Sequence, residues 1–109
     1  MKIKTQDLTG PALDWAVAKA YGMEFSFEEF PLHEMTDWRP STDWRLGGLL
    51  IEQAEISIRR THEATGWTAS KHLAPATFFE HGPNPLIAAM RCYVASKMGE
   101  DIEVPEELQ

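Results

Sequence analysis

Two segments of the chain carry the hydrophobic periodicity of a helix. In the first, apolar side chains between residues 12 and 20 recur every three or four positions, which places them on one helical face. Thr9 or Gly10 can cap the start, and Gly22 is suited to a left-handed end. The sequence therefore predicts a helix over residues 11–21.

The second helical segment is marked at both ends. Asn84 is a strong N-cap, Pro85 is favoured at the first helical position, and Gly99 follows the last periodic residue. The apolar stripe consists of Leu86, Ile87, Met90, Tyr93, Val94 and Met98. A flank of small residues, which includes Cys92, would let another backbone approach closely. The sequence predicts a second main helix that ends at Gly99.

Trp15 does not fit the apolar face of the first helix, because it projects from the other side. If the helix is buried on two sides, Trp15 packs with Leu8 beneath a second element. If Trp15 is exposed instead, it could anchor a binding partner, since aromatic side chains are enriched at binding hot spots. The sequence leaves both alternatives open.

Between the helices the periodicity shortens to that of strands. Residues 23–27 alternate apolar and polar side chains, as a half-buried strand does. Residues 49–53 and 55–60 are further strand candidates, and residues 67–70 could return beside them. Ile102 and Val104 could pin the C-terminal segment to the body of the protein.

These elements predict a small α+β fold, with one domain over all 109 residues. In this fold a curved antiparallel sheet is packed by two main α-helices. Apolar residues make up 43% of the chain, which is enough for a folded core. The chain has no run of about 18 apolar residues that could span a membrane, and its start lacks the apolar centre of a secretory signal. A single cysteine, Cys92, fits a reducing cytoplasm.

Charge argues against direct nucleic-acid binding. The formal net charge is −7, from 17 acidic and 10 basic side chains, and no clustered basic stretch is available to release counterions from phosphates. A DNA mimic would need its carboxylates at phosphate-like spacing, and −7 is a modest charge for that role.

The most unusual segment is a local duplication, in which Thr36-Asp37-Trp38-Arg39 is followed by Thr42-Asp43-Trp44-Arg45. One interpretation is a candidate recognition loop, because tryptophan and arginine are enriched at hot spots. The loop consists of Ser41, Thr42, Asp43, Trp44 and Arg45. The alternative is a capped helical turn that ends at Gly47-Gly48, with Trp44 plugging the edge of the core.

Four blocks of the sequence together resemble the NinX-like family of phage and prophage proteins. They are Leu-Thr-Gly-Pro-Ala-Leu-Asp-Trp-Ala-Val-Ala (8–18), Pro-Ser-Thr-Asp-Trp with Gly-Gly (40–44, 47–48), Pro-Leu-Ile-Ala-Ala-Met-Arg-Cys-Tyr-Val-Ala-Ser-Lys (85–97) and Val-Pro-Glu-Glu-Leu (104–108). The resemblance implies a phage accessory protein in the host cytoplasm. The family is one of unknown function and brings no active site to transfer.

No residue pattern supports catalysis, a cofactor or a metal. Gly47-Gly48 lacks the lysine of a phosphate-binding loop, and no two histidines have metal-ligand spacing. The leading hypothesis is therefore binding to a phage or host protein, and self-association stays open. The alternative is a small-molecule or nucleotide-binding module, with Trp44 stacking on the ligand and Arg45 or Arg91 meeting an anion.

Overall fold

Three helices and two antiparallel sheets make up the part of the chain that the structure, a computed structural model, describes: residues 2–22, 38–61 and 66–108. In chain order, the elements are β1 (Lys2–Lys4), α1 (Gly10–Tyr21), α2 (Trp44–Ala54), β2 (Ser57–Arg60), β3 (Trp67–Leu73), β4 (Ala76–Gly82), α3 (Pro85–Met98) and β5 (Asp101–Glu103). Short 3₁₀ turns lie at Thr5–Asp7 and Glu106–Leu108. The predicted α+β class is confirmed.

The larger sheet has the strand order β2-β3-β4, and the smaller one pairs β1 with β5. The sequence predicted β2 and β3 correctly. It also placed Ile102 and Val104 correctly, because both are buried and Ile102 pairs with Ile3 across the smaller sheet. Strands β1 and β4 were not predicted. The strand predicted for residues 23–27 lies outside the described residues.

Both predicted helices form between the expected residues. In α3 the Asn84 side chain accepts a hydrogen bond from the Ile87 N–H at 2.9 Å, so this cap is built as the sequence indicates. In α1 Thr9 takes the N-cap position, and Gly22 ends the helix with φ at 96°, a left-handed conformation that favours glycine.

Helix α3 lies at the centre of the core and contacts α1, α2 and all three strands of the larger sheet. Met90, Cys92 and Val94 are fully buried, so the helix packs on its small flank as well as on its apolar stripe. Met98 is the exception in that stripe, because it is exposed. Trp15 is 8% exposed, so α1 is buried on two sides and the alternative of an exposed Trp15 anchor is wrong.

The strand predicted for residues 49–53 is wrong, because these residues belong to α2. The expected helix end at Gly47-Gly48 is wrong as well, since both glycines lie inside α2. The physical reason is a close approach between elements. A Cβ on Gly47 would lie 2.5 Å from the Pro40 carbonyl oxygen and would also meet the Leu86 side chain. Glycine at this position lets α2 pack against its neighbours.

Candidate functional site

The predicted recognition loop forms the start of α2. Asp43 is the N-cap, and its carboxylate accepts a hydrogen bond from the Arg45 backbone N–H at 2.9 Å. The Arg45 side chain donates to the same carboxylate through Nε at 3.3 Å and Nη2 at 3.2 Å. These hydrogen bonds, the side-chain ones first, lower the pKa of Asp43. The Arg45 guanidinium is thereby oriented at the helix start, although the side chain is 90% exposed.

The segment before this loop is fixed to α1 by Asp14, which is buried. Its carboxylate accepts a hydrogen bond from the Ser41 N–H at 2.9 Å, and its backbone carbonyl accepts one from Trp38 Nε1 at 3.0 Å. Burial raises the pKa of Asp14, while the Ser41 hydrogen bond and the charge of Arg39 act in the opposite direction. Ser41 therefore holds the turn from within the protein and is not part of its surface.

Trp44 lies on the surface, with 56% of its area exposed. The alternative in which Trp44 plugs the edge of the core is therefore wrong. Leu49 is also on the surface, 54% exposed, and it lies four residues after Arg45, so these two side chains share one face of α2. Trp44 precedes Arg45 in the first turn of the same helix. We call these three residues the α2 surface. Next to them, a cavity of about 480 Å³ is lined by Asp43, Arg45, Leu46 and Leu49.

The structure does not unite all the residues that the duplication suggested. Trp38 is half-buried and lies beside Tyr21, with their ring centroids 6.3 Å apart. Thr42 is exposed next to the α2 surface, and Asp37 lies outside the described residues. Arg91 lines a different cavity from Arg45, so the two arginines proposed as alternatives for one anion site belong to separate places.

Sequence reasoning missed two residues of this region, Asp14 and Leu49. A signal for Asp14 was present, because it is the one carboxylate in the apolar run from Ala12 to Ala18, and a buried carboxylate needs a hydrogen-bond partner. Leu49 was assigned to a strand, and only a helical interpretation of residues 44–54 places it one turn after Arg45 on the same face.

Nucleophilic and metal chemistry find little support in the described residues. Cys92 is buried with Sγ 3.6 Å from the Phe78 carbonyl oxygen, and burial raises its pKa to about 12. The prediction of a packed, unreactive thiol agrees with this environment. Within residues 2–22, 38–61 and 66–108, no three His, Cys, Asp or Glu side chains are grouped so that they could hold a metal ion. The helices of these segments are all too short or too polar to cross a membrane.

Comparison with known protein families decides what the chain is related to. A family model described as Bacteriophage P22, NinX matches residues 4–97. The chain belongs to this family. The NinX match contains α1, α2 and the three-stranded sheet, and it ends one residue before the last residue of α3, so the whole α2 surface lies inside it. Family membership makes the chain a phage accessory protein, and it names no binding partner. No curated protein matches the sequence significantly.

Proposed function

We propose that this phage accessory protein acts by binding another protein, of the phage or of its host, through the α2 surface. The observation that carries the proposal is the pair of large apolar side chains, Trp44 and Leu49, which are more than half exposed beside Arg45. Tryptophan and arginine are the residues most enriched at binding hot spots, and they act best when they are surrounded by contacts that exclude water.

The energetics of the α2 surface favour recognition over a purely structural role. Covering the exposed half of Trp44 would remove on the order of 100 Å² of apolar area from water, which contributes roughly 3 kcal/mol before the costs of association. Arg45 is held by Asp43, so little side-chain freedom is lost when a partner docks. The partner we expect presents an apolar recess for Trp44 and a carboxylate near Arg45.

The experiment is affinity purification from phage-infected cells, followed by measurement of Kd for the identified protein. Trp44→Ala should raise Kd at least tenfold while the melting temperature stays within about 2 °C, because surface substitutions usually change stability by no more than roughly 0.5 kcal/mol. Arg45→Ala should raise Kd as well.

The chain offers matched controls for both variants. Phe79 on β4 is exposed to the same fraction as Trp44, 56%, and Arg59 on β2 is an exposed arginine. Phe79→Ala and Arg59→Ala should bind the partner like the parent protein. If these controls weaken binding as much as the α2 variants do, or if Trp44→Ala binds normally, the α2 surface is not the recognition site.

A further inference from the structure

A second cavity, of about 520 Å³, lies at the end of the three-stranded sheet. It is bounded where β3 begins and β4 ends, since Trp67 pairs with Gly82 at that point. Thr61, His81, Pro83 and Arg91 complete most of the lining. This volume is within the range of cavities that hold small molecules, and none of the residues that line it belongs to the α2 surface.

Arg91 reaches this cavity from α3 in a fixed orientation. Its Nε donates a hydrogen bond to the Leu8 carbonyl oxygen at 2.8 Å, and Nη1 donates one to the His81 carbonyl oxygen at 2.9 Å. The guanidinium has further N–H groups beyond these two, and they remain for a ligand. Burial lowers the pKa of Arg91, whereas the charges of Glu80 and Asp7 raise it. Arginine titrates so far above neutrality that it keeps its charge.

Trp67 supplies a flat aromatic wall to the same cavity. The ring is half-buried, and the guanidinium carbon of Arg60 lies 5.6 Å from its centroid. A cation over one face of an aromatic ring is attracted to that face, so a base would stack on the face that Arg60 leaves uncovered. The aromatic wall and the Arg91 guanidinium therefore border one space.

His81 is oriented by a short chain of hydrogen bonds. Its Nδ1 is bonded to Thr68 Oγ1 at 2.9 Å, and Thr68 Oγ1 is bonded to Thr61 Oγ1 at 2.8 Å. This arrangement leaves Nε2 as the ring nitrogen for a ligand. Among the described residues that line the cavity there is no carboxylate, although the whole chain carries a net charge of −7.

We propose that this cavity is a binding site for a mononucleotide, with the base against Trp67 and the phosphate at Arg91 and His81. Base stacking on an aromatic side chain and a guanidinium bonded to phosphate oxygens are the two contacts that such a ligand needs. The proposal stands apart from the proposed protein-binding function, since either site can fail without the other.

The test is an NMR titration of the ¹⁵N-labelled protein with adenosine 5′-monophosphate, with adenosine and with inorganic phosphate. The chain has four tryptophans, so a Trp67→Phe variant identifies the Trp67 indole N–H signal. That signal should shift on addition of the nucleotide, which should bind at least tenfold more tightly than adenosine or phosphate. If the Trp67 signal does not move at millimolar nucleotide, or if either fragment binds as tightly as the nucleotide, the proposal is overturned.

Variants separate the two contacts. Arg91→Lys keeps a positive charge but loses the guanidinium fork, so the nucleotide Kd should rise at least fivefold while the Kd of adenosine stays the same. His81→Asn should also weaken the nucleotide, and its exposed side chain keeps the test valid if Arg91→Lys fails to fold. Arg39→Gln, at an exposed arginine outside the lining of this cavity, is the matched control and should bind the nucleotide like the parent. Unchanged nucleotide binding by a folded Arg91→Lys and by His81→Asn would refute the proposed phosphate site.

Discussion

The two adjacent glycines in α2 have different surroundings, and replacing each by alanine should have opposite effects on stability. Gly47 is buried, and a Cβ there would lie 2.5 Å from the Pro40 carbonyl oxygen. Gly48 is half-buried, and a Cβ there would meet only Trp44 Cε3, at 3.9 Å, which is an ordinary van der Waals contact. Gly47→Ala should therefore destabilise the protein, and Gly48→Ala should stabilise it.

The magnitudes follow from two terms. In a helix interior, alanine is more favourable than glycine by about 1 kcal/mol, and this gain applies to both positions. At Gly47 the added methyl overlaps a backbone oxygen that cannot rotate away, so overpacking costs about 3 kcal/mol, the upper end of its usual range. The net expectation is a loss of about 2 kcal/mol for Gly47→Ala and a gain of up to about 1 kcal/mol for Gly48→Ala.

Urea unfolding followed by circular dichroism at 222 nm measures the difference. The two midpoints should move in opposite directions with unchanged m values, so that the change is one of stability and not of the unfolded state. Because α2 is held against α3 at Gly47, we also expect Gly47→Ala to weaken partner binding, whereas Gly48→Ala should not. If Gly47→Ala is as stable as Gly48→Ala, the close packing of α2 against Pro40 is refuted.

Three further results are expected. The pKa of Asp14 is raised in the folded state, so its contribution to stability is present at low pH and is lost as the pH rises from the pKa of the unfolded state through that of the folded state. Asp14→Asn should remove this fall of the unfolding free energy with pH, as urea titrations at a series of pH values can measure, and an equal pH dependence in parent and variant would contradict the assignment. Cys92, with its pKa near 12, should resist alkylation at pH 8 until urea unfolds the chain, as mass spectrometry can show; rapid labelling of the native protein would mean that the thiol is accessible. Met90→Ala should lower the free energy of unfolding by about 2–5 kcal/mol, because the side chain is fully buried, and a loss below about 1 kcal/mol would show that α3 is not the centre of the core.

Local signals account for what the sequence predicted well. The Asn84 cap and the left-handed Gly22 are decided by residues within one turn of the chain, so α1 and α3 could be placed without knowledge of the rest. Helix α2 could not be placed in this way. The run Leu49–Gln53 has apolar residues typical of a strand, and the contact that favours a helix is tertiary, between Gly47 and Pro40.

In the candidate site, too, features set by local residues were predictable, and features set by tertiary packing were not. The Asp43 cap was predictable from its residue type, and it forms. The exposure of Trp44 was not predictable, because the same tryptophan in the same capped turn is compatible with burial at the edge of the core and with exposure on the surface. The side of α2 that faces inward carries Gly47, Leu50 and Ala54, all of which are buried. Strand β4 was missed because the prolines and glycines around it suggested a loop.

The central position of α3 has a consequence for synthesis on the ribosome. Translation proceeds at about 5–20 residues per second, and a helix can pack only after it has left the exit tunnel. Since α3 begins at Pro85, more than three quarters of the 109 residues are made before the helix that covers their apolar surfaces exists. During that interval α1, α2 and the open sheet have no common partner. The nascent chain is therefore expected to depend on chaperones until α3 emerges, and a message cut just before the codon of Pro85 should yield an insoluble product.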